Sequence, residues 1–122
     1  DDFSSNLQLG ALALSRLDAA GAASALAVAV RVKPGDAIAH NLYGSALQTL
    51  GRSPEALEQF QIAVRLKGDF VNARYNLARG LIKAGHMDEA IDNLRAVVAA
   101  YPNDRAAREY LASALAARER TK

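Results

Sequence analysis

No cysteine occurs in the 122 residues, which removes disulfide bonds, thiolate metal sites and a cysteine nucleophile together. Tryptophan is absent as well, and aromatic residues make up only 6% of the chain. The 51% hydrophobic fraction is rich in alanine, which favours helix and close helix approach but buries little area per residue. Stability must therefore come from many small contacts. No apolar run reaches membrane-spanning length, because Arg and Lys interrupt every stretch, so membrane insertion is not expected. Neither a signal peptide nor an initiating Met is present, and a start at Asp1 reads as an excised domain or a processed protein. Lack of Cys suits a cytoplasm or a periplasm equally, so the compartment stays open. With 15 basic against 13 acidic residues the net charge is only +2. That is a mixed, solvated surface rather than a nucleic-acid footprint.

What the chain has is a period. Gly51 recurs as Gly85, a step of 34 (85 − 51), and with it Leu47 recurs as Leu81, Glu55 as Glu89 and Ala56 as Ala90. Other positions match by class, Phe60 with Leu94, Ala63 with Val97 and Tyr43 with Leu77. One period earlier stand Ala22, Leu26 and Ala29, and one period later Leu111, Ala112 and Leu115. A fixed period of this length marks a stacked array with one helix–turn–helix unit per repeat.

Helix signals agree with that plan. Asp36 reads as an N-cap before Ile38, Leu42, Tyr43, Ala46, Leu47 and Leu50, with a stop at Gly51. Ser53 reads as the next cap, with Pro54 at the first helical position, and the helix carries Ala56, Leu57, Phe60, Ala63 and Val64 to about Gly68. Asp69 is expected to cap a helix over 72–84, followed by a turn at Gly85-His86 and a helix over 88–100. A last helix is expected over 105–118, and a more divergent first pair over 3–16 and 20–32. The total is three helical hairpins and one lone helix. Each hairpin is too small to bury its own apolar face, so it must stack on a neighbour. Gly10, Gly44, Ala78 and Ala112 are equivalent and small, which permits close approach within a hairpin. Ala46, Gly80 and Ala114 form a second small series, expected where a helix meets the preceding repeat; Leu12 holds that position in the first unit.

Gly44, Leu47, Gly51, Ala56, Phe60 and Ala63, then Leu77, Ala78, Leu81, Gly85, Ala90, Leu94 and Pro102, resemble the tetratricopeptide repeat over essentially the whole chain. The first unit departs, with Leu17 at the turn glycine position and Gly21 nearby. His40 and Arg74 stand where the family often has Trp, and Gly68 replaces a terminal Pro. The RNA-reading pentatricopeptide family has a period of about 35 and a different pattern, and is disfavoured. The resemblance implies an all-α fold, a right-handed α–α superhelix of antiparallel helix pairs whose concave face is lined by the first helix of each pair. It implies a single domain over 3–118, with repeats at about 3–36, 37–70 and 71–104 and a lone helix over 105–118.

Little in the chain speaks for chemistry. His40 and His86 are the only histidines, with no second His at i+3 or i+4 to make a metal site, and read as ordinary helix-surface and turn residues. Ser53, His86 and Asp88 lack a nucleophile elbow and an oxyanion-hole glycine cluster, and Ser53 and Asp88 are better explained as helix-start residues. No GxGxxG or P-loop is present. Glu55 and Glu89 lie near helix N-termini, where a carboxylate complements the macrodipole. Arg105, Arg108, Arg118, Arg120 and Lys122 interleave with Glu109 and Glu119 as a solvated terminal face. No catalytic residue, metal or cofactor is expected.

Polar faces of the first helices are the better candidates. Asn41, Ser45 and Gln48 share one helix face, and Asn72, Tyr75, Asn76, Arg79 and Lys83 share another. Amides can both donate to and accept from an extended peptide, Tyr75 offers an amphipathic anchor, and Arg79 a fork for a carboxylate. Clamps of this family that hold a C-terminal carboxylate use a lysine and an asparagine on the first helix; here those positions are Leu7 and Ala11. With Leu14 and Ile38, Leu7 would instead make that end of the groove apolar. The expected function is a scaffold or adaptor module that binds a peptide or protein segment on its concave face, with no nucleic-acid partner. The alternatives are a self-associating piece, through the open N-terminal end (Leu9, Leu12) or the last helix, and the repeat part of a larger enzyme or secretion component.

Overall fold

In the computed structural model, residues 2–121 are described, and they form α1 (Asp2–Ser15), α2 (Ala19–Val32), α3 (Ala37–Thr49), α4 (Ser53–Leu66), α5 (Val71–Lys83), α6 (Met87–Ala100) and α7 (Arg105–Arg120). No strand occurs among the described residues. The chain divides into two compact units, Asp1–Gly68 with α1 to α4 and Asp69–Lys122 with α5 to α7.

Each hairpin turns in the same way. After α1, α3 and α5 the backbone N–H of Asp18, Arg52 and His86 reaches back to the carbonyl of Ala13, Leu47 and Leu81 at 2.8, 2.9 and 2.8 Å. The preceding residue takes a positive φ: 62° at Leu17, 81° at Gly51 and 86° at Gly85. This is the Schellman closure, which satisfies carbonyls that the helix end leaves open.

The helix starts correct two expectations. Asp36 and Asp104 cap α3 and α7 as side-chain acceptors from Ala39 N–H and Ala107 N–H, at 2.9 and 3.1 Å. The N-cap of α5, however, is Phe70, with no side-chain cap bond, so Asp69 lies one residue too early. The period itself points there, since Phe70 is the equivalent of Asp36 and Asp104. Likewise Ser53 is the first residue of α4 rather than its cap; the N-cap is Arg52, again without a side-chain cap bond. Arg52 instead pairs with Glu55 in the first turn, Nε donating to Oε1 at 2.9 Å.

In the first unit, α1 packs on α2 and α3 on α4, and α2 meets α3. Its core joins Ala22, Ala23, Leu26 and Ala46, with Leu7, Ala13, Leu14, Leu42 and Tyr43 against them. Ala46 therefore sits where α3 meets the preceding hairpin, as its small size required. Phe3, Ala29 and Ala39 form a second cluster. Close approach within hairpins is tight enough to need glycine: a Cβ on Gly10 would lie 2.4 Å from Leu26 Cγ, and one on Gly44 2.6 Å from Phe60 Cε1. In the second unit Ala73, Leu77, Ala78 and Leu81 of α5 are buried together with Ala90, Ile91, Leu94 and Val97 of α6, while Ala107 and Ala114 turn the inner face of α7 into the core.

His40 is not a surface residue but is buried at 5% exposure. Its Nδ1 lies 2.7 Å from Gln59 Oε1 and its Nε2 2.7 Å from the Pro34 carbonyl oxygen, so each ring nitrogen faces a polar partner within the fold, and the tautomer decides which of the two carries the donated N–H. One period on, Arg74 Nη1 donates to Asn93 Oδ1 at 2.9 Å, the same bond between the same two positions. His86 is exposed at the start of α6.

Candidate functional site

The polar residues singled out on the first helices fall in both units. On α3, Asn41 is buried at 6% exposure and offers almost no surface to a ligand. Ser45 Oγ donates back to the Asn41 carbonyl at 3.2 Å, a bond within the helix, and Ser45 and Gln48 are half-buried. At the same end Leu7 and Leu14 are packed against the core, so of the three apolar residues expected to line a groove only Ile38 is openly exposed.

The second unit presents the more developed surface. Asn72, Asn76, Arg79 and Lys83 stand at i, i+4, i+7 and i+11 on α5 and form one stripe along it. Asn76 Nδ2 donates to Asn72 Oδ1 at 3.1 Å, which aligns the two amides. Asn72, Arg79 and Lys83 are exposed, while Tyr75 and Asn76 are half-buried. Tyr75 packs edge-on against Tyr110 of α7, with ring centroids 5.6 Å apart at 74°. Edge-to-face packing of this kind holds both rings in place and leaves them little rotamer freedom to lose. Burial pushes the Tyr110 phenol above its ordinary range, and the nearby positive charge of Arg79 opposes that rise. Arg79, Tyr75 and Tyr110 thus form one group across α5 and α7.

Tyr110 was missed in the sequence because α7 read as a lone closing helix. It lies one residue beyond the equivalent of Tyr75, and two tyrosines so placed on successive first helices were the signal. The group offers two aligned amides, a guanidinium fork, an ammonium and a fixed aromatic edge. The basic C-terminal residues are partly used otherwise. Arg105 Nε pairs with Glu109 at 2.8 Å and Arg118 Nη1 with Asp88 at 3.2 Å. Among the described residues no cluster of three or more His, Asp or Glu could hold a metal ion, and no helix is long and apolar enough to cross a membrane.

Comparison with known proteins agrees with the period. Models of the tetratricopeptide repeat match residues 7–69 and 71–114. The peroxisomal targeting signal receptor of Saccharomyces cerevisiae is 40% identical over 70 residues, which are 57% of this chain and 11% of the receptor. The chain thus spans about a tenth of the length of that relative. Among solved structures, MamA superposes with a TM-score of 0.90 at 21% identity, covering 96% of this chain and 68% of that one. The first tetratricopeptide domain of Spaghetti (RPAP3), bound to the HSP90 peptide SRMEEVD, superposes with a TM-score of 0.86 at 16% identity, covering 95% and 94%. At such identities the structural likeness shows the fold alone.

Proposed function

Because the chain belongs to the tetratricopeptide repeat family, we propose that it is a non-enzymatic interaction module, and that the α5–α7 surface of its second unit receives an extended segment of a partner protein. In this reading residues 3–118 work as one repeat domain. The observation that carries the proposal is the alignment on α5 of Asn72, Asn76, Arg79 and Lys83 beside the fixed Tyr75–Tyr110 pair. Two neighbouring cations on one stripe favour a segment that carries a carboxylate, from an acidic side chain or a chain end. The rings and the amides are held by contacts inside the protein, so little ordering cost falls on the receptor. A fold shared with a domain that holds an HSP90 peptide supports the class of ligand, and a relative named as a targeting-signal receptor supports it further. The share of Ser45 and Gln48 in binding is secondary here, and Asn41 contributes through the fold.

The test is binding of peptides selected from a random display library on the wild-type protein. Arg79→Glu alters an exposed side chain and should weaken the selected peptides roughly tenfold or more, as an anchor arginine does. Tyr75→Ala with Arg79→Ala should abolish binding while circular dichroism remains helical. Unchanged affinity for Arg79→Glu would remove this surface from the reading.

A further inference from the structure

Arg79 and Lys83 stand one turn apart on α5, and both are exposed. One period earlier the same positions hold Ser45 and Thr49, two periods earlier Ala11 and Ser15, and one period later Ser113 and Ala117. The repeat therefore requires no charge there. Like charges at i and i+4 also repel, so the pair works against the helix that carries it. Among the described residues Arg52, Arg105 and Arg118 each sit on a carboxylate, whereas neither Arg79 nor Lys83 is in an ion pair. A local cost with no compensating partner inside the fold marks a group kept for a ligand.

The spacing defines what that ligand carries. Four helical residues rise about 6 Å, at about 1.5 Å each. An extended chain advances about 3.3 Å per residue and returns a side chain to the same side at every second residue, after about 6.6 Å. Adjacent acidic residues point to opposite sides of such a chain, and so do residues three apart, about 10 Å away. Alternate acidic residues reach both cations from one side. Asn72 and Asn76 repeat the same interval on the other half of the stripe, bonded to each other and uncharged, so negative charge is confined to one end of the segment. Tyr75 and Tyr110 wall the stripe on the α7 side. From Asn72 to Lys83 it runs about 16 Å, the length of about five extended residues.

We propose that the partner segment lies extended along α5 and carries two acidic residues at alternate positions, i and i+2, one on Arg79 and the other on Lys83. About three uncharged residues then cover the amide half. This rests on the α5–α7 binding surface proposed for the module. It narrows the ligand from any carboxylate to a spaced pair of acidic side chains within a chain.

A random linear peptide library, displayed between linkers so that no chain end is offered, is selected on the wild-type protein and on Lys83→Glu. Wild-type pools should be enriched in acidic pairs at i, i+2. Respacing the pair in the tightest wild-type peptide to i, i+1 or i, i+3 should weaken it roughly fivefold, the upper worth of one exposed ion pair. Pools from Lys83→Glu should keep one acidic residue and exchange the other for Lys or Arg two positions away. Lys83 is exposed, so the variant should keep its helical spectrum. Peptides that lose affinity on Arg79→Glu but tolerate respacing would overturn the alternate pair and leave the surface standing. Arg79-dependent pools without acidic residues would do the same. Peptides indifferent to both Arg79→Glu and Lys83→Glu would overturn the surface itself, and the pair with it.

Discussion

The first hairpin and the second hairpin close the same geometry with different residues. In α1–α2 the crossing pair is Gly10 and Leu26, the turn residue is Leu17 at φ 62°, and the second helix is capped by Asp18, which accepts from Gly21 N–H at 2.9 Å. In α3–α4 the crossing pair is Gly44 and Phe60, the turn residue is Gly51 at φ 81°, and Arg52 caps without a side-chain bond. The first hairpin has the better cap and the worse turn; the second has the reverse. A repeat therefore conserves backbone hydrogen bonds and helix spacing, and side chains can be exchanged wherever another local term compensates.

The largest break in that comparison is at the crossing. Gly44→Ala places a Cβ against the Phe60 ring and should cost on the order of 1–3 kcal/mol, the usual size of core overpacking. One period on, Ala78 and Leu94 coexist fully buried, although Leu26 leaves Gly10 no more room for a methyl than Phe60 leaves Gly44, so helix spacing as well as side-chain size decides whether the methyl fits. Phe60→Leu alone should destabilise by removing ring volume, but combined with Gly44→Ala it should recover part of the loss. A double-mutant cycle in urea reads the coupling directly. Additive effects would mean that α3 and α4 simply move apart and that the ring is not the constraint.

Helix caps give the next effect. Asp18→Ala removes a side-chain cap and should cost about 1 kcal/mol, whereas Ser53→Ala should cost close to nothing, because Ser53 caps no helix. Equal losses in thermal unfolding would return Ser53 to the capping role. What the second hairpin has instead is the Arg52–Glu55 pair, whose hydrogen bond holds the Glu55 carboxyl below its ordinary value of 4.5. The sign follows from that lowering: the contribution is present above about pH 4.5 and fades as pH falls through the folded-state value. Both groups are exposed, so the acid sensitivity it adds is slight.

The array was legible because its signal is repeated. Period, turn positions and apolar spacing recur two or three times, and the observed helix ends stay within about two residues of those expected. Errors arose where one position was judged by its own chemistry. Asp69 and Ser53 look like caps in isolation, yet the equivalents of Asp36 and Asp18 are Phe70 and Arg52. His40 looks like a surface residue until Gln59, nineteen positions on, is brought to it by the crossing of α3 and α4. Asn41 shares a face with Ser45, but helix geometry alone does not say that a neighbouring element buries it. The Tyr75–Tyr110 contact joins α5 and α7, with α6 between them in the chain, and over that separation periodicity gives register but not side-chain packing.

The smallest effect, and the one that sharpens the comparison most, is at the turn. Leu17 is 92% exposed, so its side chain contributes almost no burial, while its φ of 62° carries the steric penalty of a left-handed residue with a Cβ. That penalty is roughly 1–2 kcal/mol. Glycine relieves it but brings back about 0.5–1 kcal/mol of chain entropy in the unfolded state. Leu17→Gly should therefore stabilise the protein by about 0.5–1 kcal/mol, and Gly51→Ala should destabilise it by a similar amount, with equal denaturant slopes for both. The bond from Asp18 N–H to the Ala13 carbonyl is already formed at 2.8 Å, so the gain comes from strain relief without a new contact. No change on Leu17→Gly, together with a clear loss on Gly51→Ala, would show that the first turn relaxes around its leucine and that the two hairpins do not close alike.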